Sequence, residues 1–448
     1  MNDKLLTKFK EVEKGYNPYQ LSSLPEEWSY LTLGKSGTFI NGLNKEKKDY
    51  GYGTLHVNID NIFNGFFINT NKLGRVNANQ NEIKRYCLQK GDICILRSSV
   101  RIQGVGYPAL FESEVKPVVF SGFIIKFRPD FSVWDSRFLT YALKSNFIRN
   151  NVIAWATVSA NININQESLK KIPIPHPNLQ EQKKIATVLS NVDEVIQRTN
   201  QIIEQSQTLK KGLMQYLLNK GVGHTNFRKV KWLFGKYEKI PMDWEIKTFG
   251  ELFQFLRTGT NSREDLTKSG EIQYIHYGDI HAKWNSIVDC DLEDIPWIAK
   301  SKVRQLPFLK EGDLIMADAS EDYEGSGASI VLKNVKSRSI VSGLHTIALR
   351  DSNDDVFVDF KKYLNNIKLV KSQIIAYAVG ISVYGLSKNN LRKIRIPLPP
   401  MREQKKIASI LSNVDSQIEK YQNYKSSFEI IKNGLMQKLL TGKIRVRV

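Results

Sequence analysis

The chain has 448 residues, of which 41% are hydrophobic and 10% aromatic, enough for several ordinary globular cores. Lys and Arg total 65 against 45 for Asp and Glu, and the formal net charge of +20 favours a polyanionic partner such as nucleic acid. Three cysteines without CxxC spacing predict a reducing cytoplasm. The lack of a long apolar segment or signal-peptide core argues against a membrane protein.

One long segment is written twice in the chain. Most of the segment 177–221 is written again within 399–442, and its matching positions keep a constant offset of 222 without an insertion between them. In each copy the apolar residues step by four and three, prolines precede the copy and a glycine closes it, as expected for a long helix. About 40 residues at about 1.5 Å each predict a length of roughly 60 Å. Because Lys210 and Lys432 interrupt the apolar seam, we expect the two helices to pack on each other within one chain.

The segments before these helices also match at scattered positions. A turn ending at Trp28 is matched by one ending at Trp244, and a Gly-Asp turn at Asp92 is matched at Asp313. Alternating apolar strands and turn residues around these anchors predict two mixed α/β globules of one fold. A short helix is expected over about 138–151, with a counterpart in the second globule.

The predicted fold class is therefore α/β (α+β), with a pseudo-twofold internal repeat. The expected parts are an N-terminal arm, a globule, a helix, a linker, a second globule, a second helix and a tail, at 1–20, 21–176, 177–221, 222–239, 240–398, 399–442 and 443–448. Between the anchors the globules differ widely, whereas the helices stay alike. We interpret this contrast as two similar scaffolds that read two different targets at a fixed separation. A duplication that merely drifted is the alternative.

Together and in this order, the motifs resemble the specificity subunit of type I restriction-modification enzymes. The resemblance rests on the PEEW and MDW openings, the KGD and EGD turns, the IPIP and IPLP exits, the LQEQKKIA and MREQKKIA helix starts and the GLMQ helix ends. It implies two target recognition domains and two long antiparallel coiled-coil helices in a prokaryotic cytoplasmic protein. Each domain is expected to read one half of a bipartite, asymmetric sequence in double-stranded DNA.

The resemblance also implies protein partners. Two methyltransferase subunits are expected on the helices, with ATP-driven restriction (translocase) subunits outside them. S-adenosylmethionine, ATP and Mg would then be bound by the partners, and no cofactor by this chain. The expected partner contacts are the helix starts, namely Glu181, Gln182, Lys183, Lys184, Glu403, Gln404, Lys405 and Lys406.

Motifs for chemistry are incomplete in this sequence. The Asn-Pro-Tyr string at 17–19 has one proline where an adenine methyltransferase needs two, and the Gly-Lys-Ser string at 34–36 lacks the first glycine of a phosphate-binding loop. The chain is therefore interpreted as a non-catalytic subunit. Two alternatives stay open: a fused restriction-methylation enzyme, and a two-helix adaptor that joins proteins rather than DNA.

Polar and basic loops are the expected DNA contacts, because side chains read bases by hydrogen bonds while Lys and Arg hold phosphates. The first globule offers a basic loop and the loop after the KGD strand, with Lys45, Lys47, Lys48, Arg97, Ser98, Ser99, Arg101 and Gln103. The second offers an acidic loop at the matching position and several polar residues, with Arg257, Asn261, Tyr274, His276, Tyr277, Ser320 and Tyr323. Arg pairs naturally with guanine and Gln with adenine, whereas an acidic group accepts from cytosine N4. A metal site at His276, Asp279 and His281 is conceivable, but a structural or DNA-facing role is preferred because no second ligand cluster is present.

Overall fold

The computed structural model describes residues 24–447, except positions 64, 285, 322–324, 352 and 379–383. The predicted arm at 1–20 lies outside the described residues. The chain divides into two compact units, of which unit 1 contains the described parts of 1–200 and 423–448, and unit 2 those of 201–422. Each unit therefore combines one predicted globule with parts of both long helices.

Unit 1 is built from short strands and helices around the ends of the two long helices. Its elements in chain order are β1 Ser29–Thr32, β2 Gly37–Asn41, β3 Tyr50–Val57, α1 Ile59–Phe63, β4 Gly74–Val76, α2 Gln80–Tyr86, β5 Ile93–Leu96, β6 Ser98–Ser99, β7 Pro108–Leu110, β8 Val118–Phe120, β9 Ile124–Pro129, α3 Ser136–Lys144, α4 Asn146–Ala154, β10 Thr157–Val158, β11 Ile162–Asn163, α5 Gln166–Lys170, β12 Pro173–His176 and the first long helix, α6 Leu179–Lys220, which continues into unit 2.

Unit 2 follows the same plan, and its described globule begins with a hairpin of β13 and β14. Its elements are β13 Phe227–Lys231, β14 Tyr237–Pro241, β15 Glu245–Thr248, α7 Phe249–Leu252, β16 Phe253–Leu256, β17 Leu266–Thr267, β18 Ile272–Ile275, α8 Tyr277–Ala282, β19 Ile287–Asp289, β20 Trp297–Ile298, β21 Leu314–Ala317, β22 Ala319–Ser320, β23 Ser329–Lys333, β24 Ile340–Ser342, β25 Thr346–Asp351, α9 Val358–Lys361, α10 Lys368–Tyr377, β26 Tyr384–Gly385, α11 Lys388–Lys393, β27 Arg395–Leu398 and the second long helix, α12 Met401–Leu439, which ends in unit 1.

The two units share one sheet topology. The largest sheet of unit 1 has the strand order β2-β9-β5-β7, and unit 2 repeats it as β16-β25-β21-β23 with β19 added at the edge. The parallel pairs β3·β8 and β18·β24 are equivalent, as are the antiparallel pairs β6·β11 and β22·β26. The shared strand order confirms the predicted repeat of two mixed α/β domains.

The repeated Gly-Asp turns are fixed by buried ion pairs. Asp92 is fully buried, and its two carboxylate oxygens accept hydrogen bonds of 2.7 Å from Nε and Nη2 of Arg128. Asp313 accepts from Arg350 in the same way, at 3.0 and 2.6 Å. Removing either arginine would leave a buried carboxylate unpaired, which typically costs about 3–5 kcal/mol. In each unit an ion pair thus ties the Gly-Asp turn to a strand of the main sheet, β9 in unit 1 and β25 in unit 2.

The long helices are antiparallel where they meet in unit 1. Lys432 Nζ lies 2.6 Å from Asp193 Oδ1, and Lys425 Nζ donates to Asn200 Oδ1 at 2.9 Å. Residue numbers rise along α6 while those of their partners fall along α12, so the two helices run in opposite directions. Ile185 and Leu189 of the predicted apolar seam are fully buried.

In unit 2 the repeat produces the matching contact. Lys210 Nζ lies 2.6 Å from Asp415 Oδ1. Asp193 and Asp415 are related by the repeat offset, and so are Lys210 and Lys432. The lysines that interrupt the apolar seam therefore form two equivalent ion pairs between the helices, one in each unit.

One local prediction is wrong. The single helix expected over 138–151 consists of two helices, α3 and α4, because Ser145 between them is extended and caps α4, its Oγ accepting from Ile148 N–H at 3.4 Å. Most of the β13–β14 hairpin, residues 227–241, lies in the predicted linker 222–239, and the sequence pattern did not indicate it. Among the described residues, no helix is both long enough and apolar enough to cross a membrane.

Candidate nucleic-acid interface

Unit 1 carries a closed loop between β5 and β7, formed by residues 97–107 and called here the β5–β7 loop. Across its base, Leu96 N–H donates to Tyr107 O at 2.9 Å. Within it, Tyr107 N–H donates to Gly104 O at 3.1 Å. The loop is thus held by its own main chain, and its outer side chains are available to a ligand.

Unit 2 carries the equivalent loop between β21 and β23, formed by residues 318–328 and called the β21–β23 loop. Ala317 N–H donates to Ala328 O at 2.8 Å, and Ala328 N–H donates to Gly325 O at 2.9 Å. The same hydrogen-bond pattern therefore closes both loops, although their sequences differ.

The first residue of each loop sits in the same main-chain frame. Arg97 N–H donates to Phe123 O at 2.8 Å, and its carbonyl accepts a further main-chain hydrogen bond of 2.9 Å. Asp318 N–H donates to His345 O at 3.0 Å, and its carbonyl accepts one of 2.7 Å. The backbone presents two side chains in each unit, and only the identity of those side chains differs.

The two frames offer opposite chemistry to a base. In unit 1 Arg97 is exposed beside Phe123, which is 53% exposed. A guanidinium donates to guanine O6 and N7, and an aromatic ring packs against a thymine methyl. In unit 2 His345 Nδ1 lies 3.1 Å from Asp318 Oδ1, and the Tyr277 ring packs edge-on against His345 at 5.2 Å. A carboxylate accepts from cytosine N4, so this frame favours a donor base edge.

Phe123 and His345 were not among the predicted contacts. Each follows a repeated Ser-Gly turn, and the divergence immediately after a shared turn was the available signal. A polar hairpin in unit 1 was also missed, in which β6 pairs with β11 and β11 pairs with β10. Strand β10 and the turn that follows it, residues 157–161, are exposed.

The predicted basic loop of unit 1 is partly neutralised by acidic neighbours. Lys45 Nζ lies 2.9 Å from Glu82 Oε1, and this hydrogen bond raises the pKa of Lys45. Lys48 pairs with Glu46 at 2.8 Å, and Lys47 is exposed. All three lysines lie at the surface or partly buried, so they stay predicted phosphate contacts.

The other predicted residues of unit 1 lie on or beside the β5–β7 loop. Arg101 and Gln103 are exposed, and Arg101 N–H donates to Ser99 Oγ at 3.1 Å. Ser98 and Ser99 are half-buried in β6. The structure therefore brings Arg97, Arg101 and Gln103 onto one loop.

The prediction that Tyr274 contacts DNA does not fit its position. The residue is fully buried, and its hydroxyl donates to Asn261 O at 3.0 Å while accepting from the N–H groups of Asn261 and Leu344 at 3.1 and 2.9 Å. Burial raises the pKa of the Tyr274 hydroxyl. Tyr274 therefore braces two loops from inside, and Asn261 is placed by it.

The remaining candidates of unit 2 are placed unevenly. Arg257 is exposed, and its Nη1 donates to Gln305 Oε1 at 3.3 Å. Ser320 is buried in β22, where it supports the loop and presents little surface to DNA. Tyr323 lies outside the described residues.

The side chains at the conceivable metal site are engaged within the protein. His276 is buried, its Nδ1 accepts from Gly278 N–H at 3.1 Å, and burial lowers its pKa. Asp279 accepts from a nearby arginine at 3.0 Å, and His281 Nε2 lies 2.9 Å from a main-chain carbonyl. These contacts fix α8 beside the β21–β23 loop and support the structural or DNA-facing interpretation.

The acidic residues at the helix starts are buried in equivalent positions. Glu181 accepts from Trp28 Nε1 at 3.0 Å and from the Arg445 guanidinium at 2.6 and 2.9 Å. Glu403 accepts from Trp244 Nε1 at 3.0 Å and lies 2.9 Å from His224 Nε2. Each carboxylate thus joins a helix start to the segment that follows the other long helix. His224, Glu403 and Asp243 are also close enough to share a cation.

The prediction of partner contacts at the helix starts therefore needs correction. Glu181 and Glu403 are buried, and so are Gln182 and Gln404, whose side-chain amides bind main-chain groups of their own units. Buried groups that are already hydrogen-bonded are not available to a partner. The exposed residues of the two helix starts stay predicted contacts, namely Lys183, Lys184, Lys405 and Lys406.

Each unit exposes an apolar stripe on a long helix. In unit 2, Ile202, Leu209 and Tyr216 are exposed on α6 at intervals of seven residues. In unit 1, Tyr424 and Ile431 are exposed on α12 at the same interval. Ile202 and Leu209 are related to Tyr424 and Ile431 by the repeat offset. Heptad spacing places such residues on one face of a helix, the pattern that packs against another helix.

Comparison with known proteins agrees with the repeat. The sequence model of the type I restriction modification DNA specificity domain matches twice, at residues 25–206 and 241–426. The chain is 29% identical over 448 residues to the putative type I restriction enzyme MjaX specificity subunit of Methanocaldococcus jannaschii, covering 97% of this chain and 98% of that protein. It is 23% identical over 438 residues to the EcoKI specificity subunit of Escherichia coli K12, covering 94% and 89%.

Two solved structures share the fold. The S subunit of a type I restriction-modification system from M. genitalium has a TM-score of 0.54 and 19% identity, covering 94% of this chain and 97% of that one. A chain from a structure described as the basis of complex assembly and conformational transition of the type I R-M system has a TM-score of 0.58 and 14% identity, covering 94% and 100%.

The repeated domains and their paired loops define a protein with two DNA specificity domains. The chain belongs to the family of type I restriction-modification DNA specificity subunits. Its function is sequence-specific DNA recognition within a type I complex.

Proposed function

We propose that unit 1 and unit 2 each read one half of a bipartite, asymmetric sequence in double-stranded DNA. The observation that carries this proposal is the shared main-chain frame that presents Arg97 and Phe123 in one unit and Asp318 and His345 in the other. Because the main-chain frames are alike, the two units are expected to dock on DNA in the same way. Because the side chains differ, the two units are expected to select different bases. Phosphate contacts from the surrounding lysines would fix the register, and the loop side chains would select the bases.

We further propose that the long helices are both spacer and docking platform. Two equivalent apolar stripes, around Leu209 in unit 2 and Ile431 in unit 1, support two equivalent partner sites, each suited to a helix of one methyltransferase subunit. The exposed lysines of the helix starts extend these surfaces. Restriction (translocase) subunits would join the assembly outside the methyltransferase subunits.

In this proposal the chain is a non-catalytic subunit and the chemistry belongs to its partners. Methyl transfer would use S-adenosylmethionine, and translocation and cleavage would use ATP and Mg, all bound by the partner subunits. The incomplete methyltransferase and phosphate-loop motifs of the sequence support this division.

Methylome sequencing of a host that expresses the chain with its partner subunits tests the proposal. Replacing Arg97 by Ala should relax one half-site by about 1–3 kcal/mol per lost bidentate contact and leave the other half-site unchanged. The matched variant, Asp318→Ala, should relax only the other half-site. If Arg97→Ala weakens binding equally on all sequences, Arg97 is a phosphate contact and the assignment of the loop to base reading is wrong.

The two alternative functions predict different results with the isolated chain. A fused enzyme would transfer a labelled methyl group from S-adenosylmethionine without other subunits. A protein adaptor would bind DNA weakly and with a shallow dependence on salt. A DNA-recognition subunit instead predicts a steep fall of log K with log salt, because bound phosphates release counterions.

A further inference from the structure

The β5–β7 loop rests on a buried cation from α4. Arg149 is 8% exposed, and its Nη2 donates to Gln103 O at 3.0 Å and to Val105 O at 2.6 Å. The guanidinium also lies 5.7 Å from the centre of the Tyr107 ring. Burial lowers the pKa of Arg149 to about 10, which leaves it charged at neutral pH. The returning side of the loop is therefore tied to a helix by charged hydrogen bonds.

The same stretch of the loop lies very close to α4. Gly106 has a φ of +65°, and a Cβ added there would lie 2.3 Å from Val152 Cγ1. A residue with a side chain would therefore push the loop away from the helix. The glycine and the arginine together fix where the loop returns to the sheet.

Unit 2 repeats this arrangement with a different cation. Lys371 on α10 is related to Arg149 by the repeat offset, and its Nζ donates to Ser326 O at 2.8 Å. Ser326 occupies the loop position of Val105. Gly327, like Gly106, has a positive φ of +77°, and a Cβ there would lie 3.1 Å from Ile374 Cδ1.

We propose that Arg149 and Lys371 are positioning residues for base reading, each fixing the returning side of the loop that carries its unit's candidate base contacts. The proposal rests on the assignment of the two loops to DNA recognition. Buried carbonyls need donors, and charged donors form the stronger hydrogen bonds. A loop fixed before binding loses less conformational freedom when it meets DNA, so the tether favours the correct sequence.

The loops themselves argue for this role. They share almost no side chains, yet both keep a cation beneath the same carbonyl and a glycine at the next position. Each cation holds the loop of its own unit, so each is expected to act on one half-site. Arg149 holds the carbonyls of Gln103 and Val105 in unit 1, and Lys371 holds that of Ser326 in unit 2.

The test compares Arg149→Met and Arg149→Lys in the complete complex, using duplexes altered at one base of either half-site. For Arg149→Met we expect discrimination at the unit 1 half-site to fall by about tenfold, within the range of a lost base contact, with the other half-site unchanged. Arg149→Lys should restore most of the discrimination, because lysine fills this place in unit 2. Lys371→Met should act on the other half-site.

Controls separate positioning from stability and from phosphate binding. Nonspecific affinity and its salt dependence should stay unchanged in Arg149→Met, because the buried side chain touches no phosphate. Arg137→Met is the matched control, since Arg137 lies on α3 and pairs with Glu112 at 2.8 Å, away from the loop. Should Arg149→Met not fold, Arg149→Lys and Lys371→Met carry the comparison.

Two failures are distinguishable. If the residue is only structural, Arg149→Met lowers the discrimination at both half-sites together with the thermal stability, and Arg149→Lys does not recover the unit 1 discrimination. That result overturns the proposal. If Arg97→Ala leaves both half-sites unaltered, the assignment of the loop to DNA reading is itself wrong. If Arg97→Ala relaxes discrimination at the unit 1 half-site and Arg149→Met does not change it, only the positioning role of Arg149 is overturned.

Discussion

Lys144 at the end of α3 is a lysine whose charged form is destabilised by burial. Its Nζ donates to Gly65 O at 2.8 Å and lies 4.6 Å from the centre of the Tyr107 ring. Burial, reinforced by the nearby charge of Lys432, lowers its pKa from 10.5 to about 8, while Asp193 acts in the opposite direction. In the folded chain, Lys144 therefore loses its proton well before an exposed lysine does.

This shift predicts a stability difference that grows with pH. Between about pH 8 and 10.5 the unfolded chain keeps the Lys144 proton and the folded chain has released it, so rising pH favours the folded state. The free energy of unfolding of the native protein should therefore rise across this window relative to Lys144→Met, which cannot titrate. Denaturant titrations of both proteins measure the difference. A difference that stays flat with pH would contradict the shift.

The exposure of single residues was predicted best on the β5–β7 loop. Arg97, Arg101 and Gln103 follow a Gly-Asp turn and do lie exposed on a loop. Tyr274 and Glu181 are polar and were expected at a surface, yet both are buried, and each has a hydrogen bond to a residue far along the chain, Leu344 and Trp28 respectively. Such pairing joins residues far apart in the chain, and a local sequence pattern carries no information about it.

At the scale of elements, the long helices were predicted well because local signals agree. Prolines, glycines and the apolar seam predicted 177–221, and the helix observed is Leu179–Lys220. The α3–α4 break was missed because Ser145 is compatible with either a helix interior or a cap. Whether Ser145 continues a helix or caps a new one depends on the direction of the chain after it, and that direction is set by tertiary packing.

The apolar stripes lead to a prediction about partner number. Leu209→Asp should remove one methyltransferase subunit, because it places a charge in a helix-packing face, and Ile431→Asp should remove the other. The double variant should lose both. Native mass spectrometry of the assembled complex measures the stoichiometry. Gln207→Asp, exposed on a different face of α6, is the control, and retention of both subunits by the double variant would move the docking site elsewhere.

At the scale of the whole molecule, the sequence indicated two globules and two long helices that pack on each other. The structure instead groups each globule with parts of both helices, and equivalent ion pairs, Asp193 with Lys432 and Asp415 with Lys210, lie one in each unit. A pairing between segments so distant in the chain follows from the three-dimensional repeat. The offset of 222 positions was visible in the sequence, but its consequence for which lysine meets which aspartate was not.

The proposed spacer role predicts how length controls the target. Inserting one heptad into both long helices adds about 10 Å, or about three base pairs of B-DNA. The unread gap of the target should lengthen by about that amount, and both half-sites should stay the same. Methylome sequencing of the paired insertion measures both features. A change in the half-site bases would show that the helices do more than set distance.

The frame around Arg97 and Asp318 has an evolutionary consequence. Because its hydrogen bonds come from main-chain atoms, replacing the side chain there changes what is presented without removing a bond that the fold needs. New specificities are then reachable by single substitutions at little cost in stability, and each domain can vary without altering the other. A host population could therefore diversify the DNA sequences that it marks as its own faster than its fold diverges.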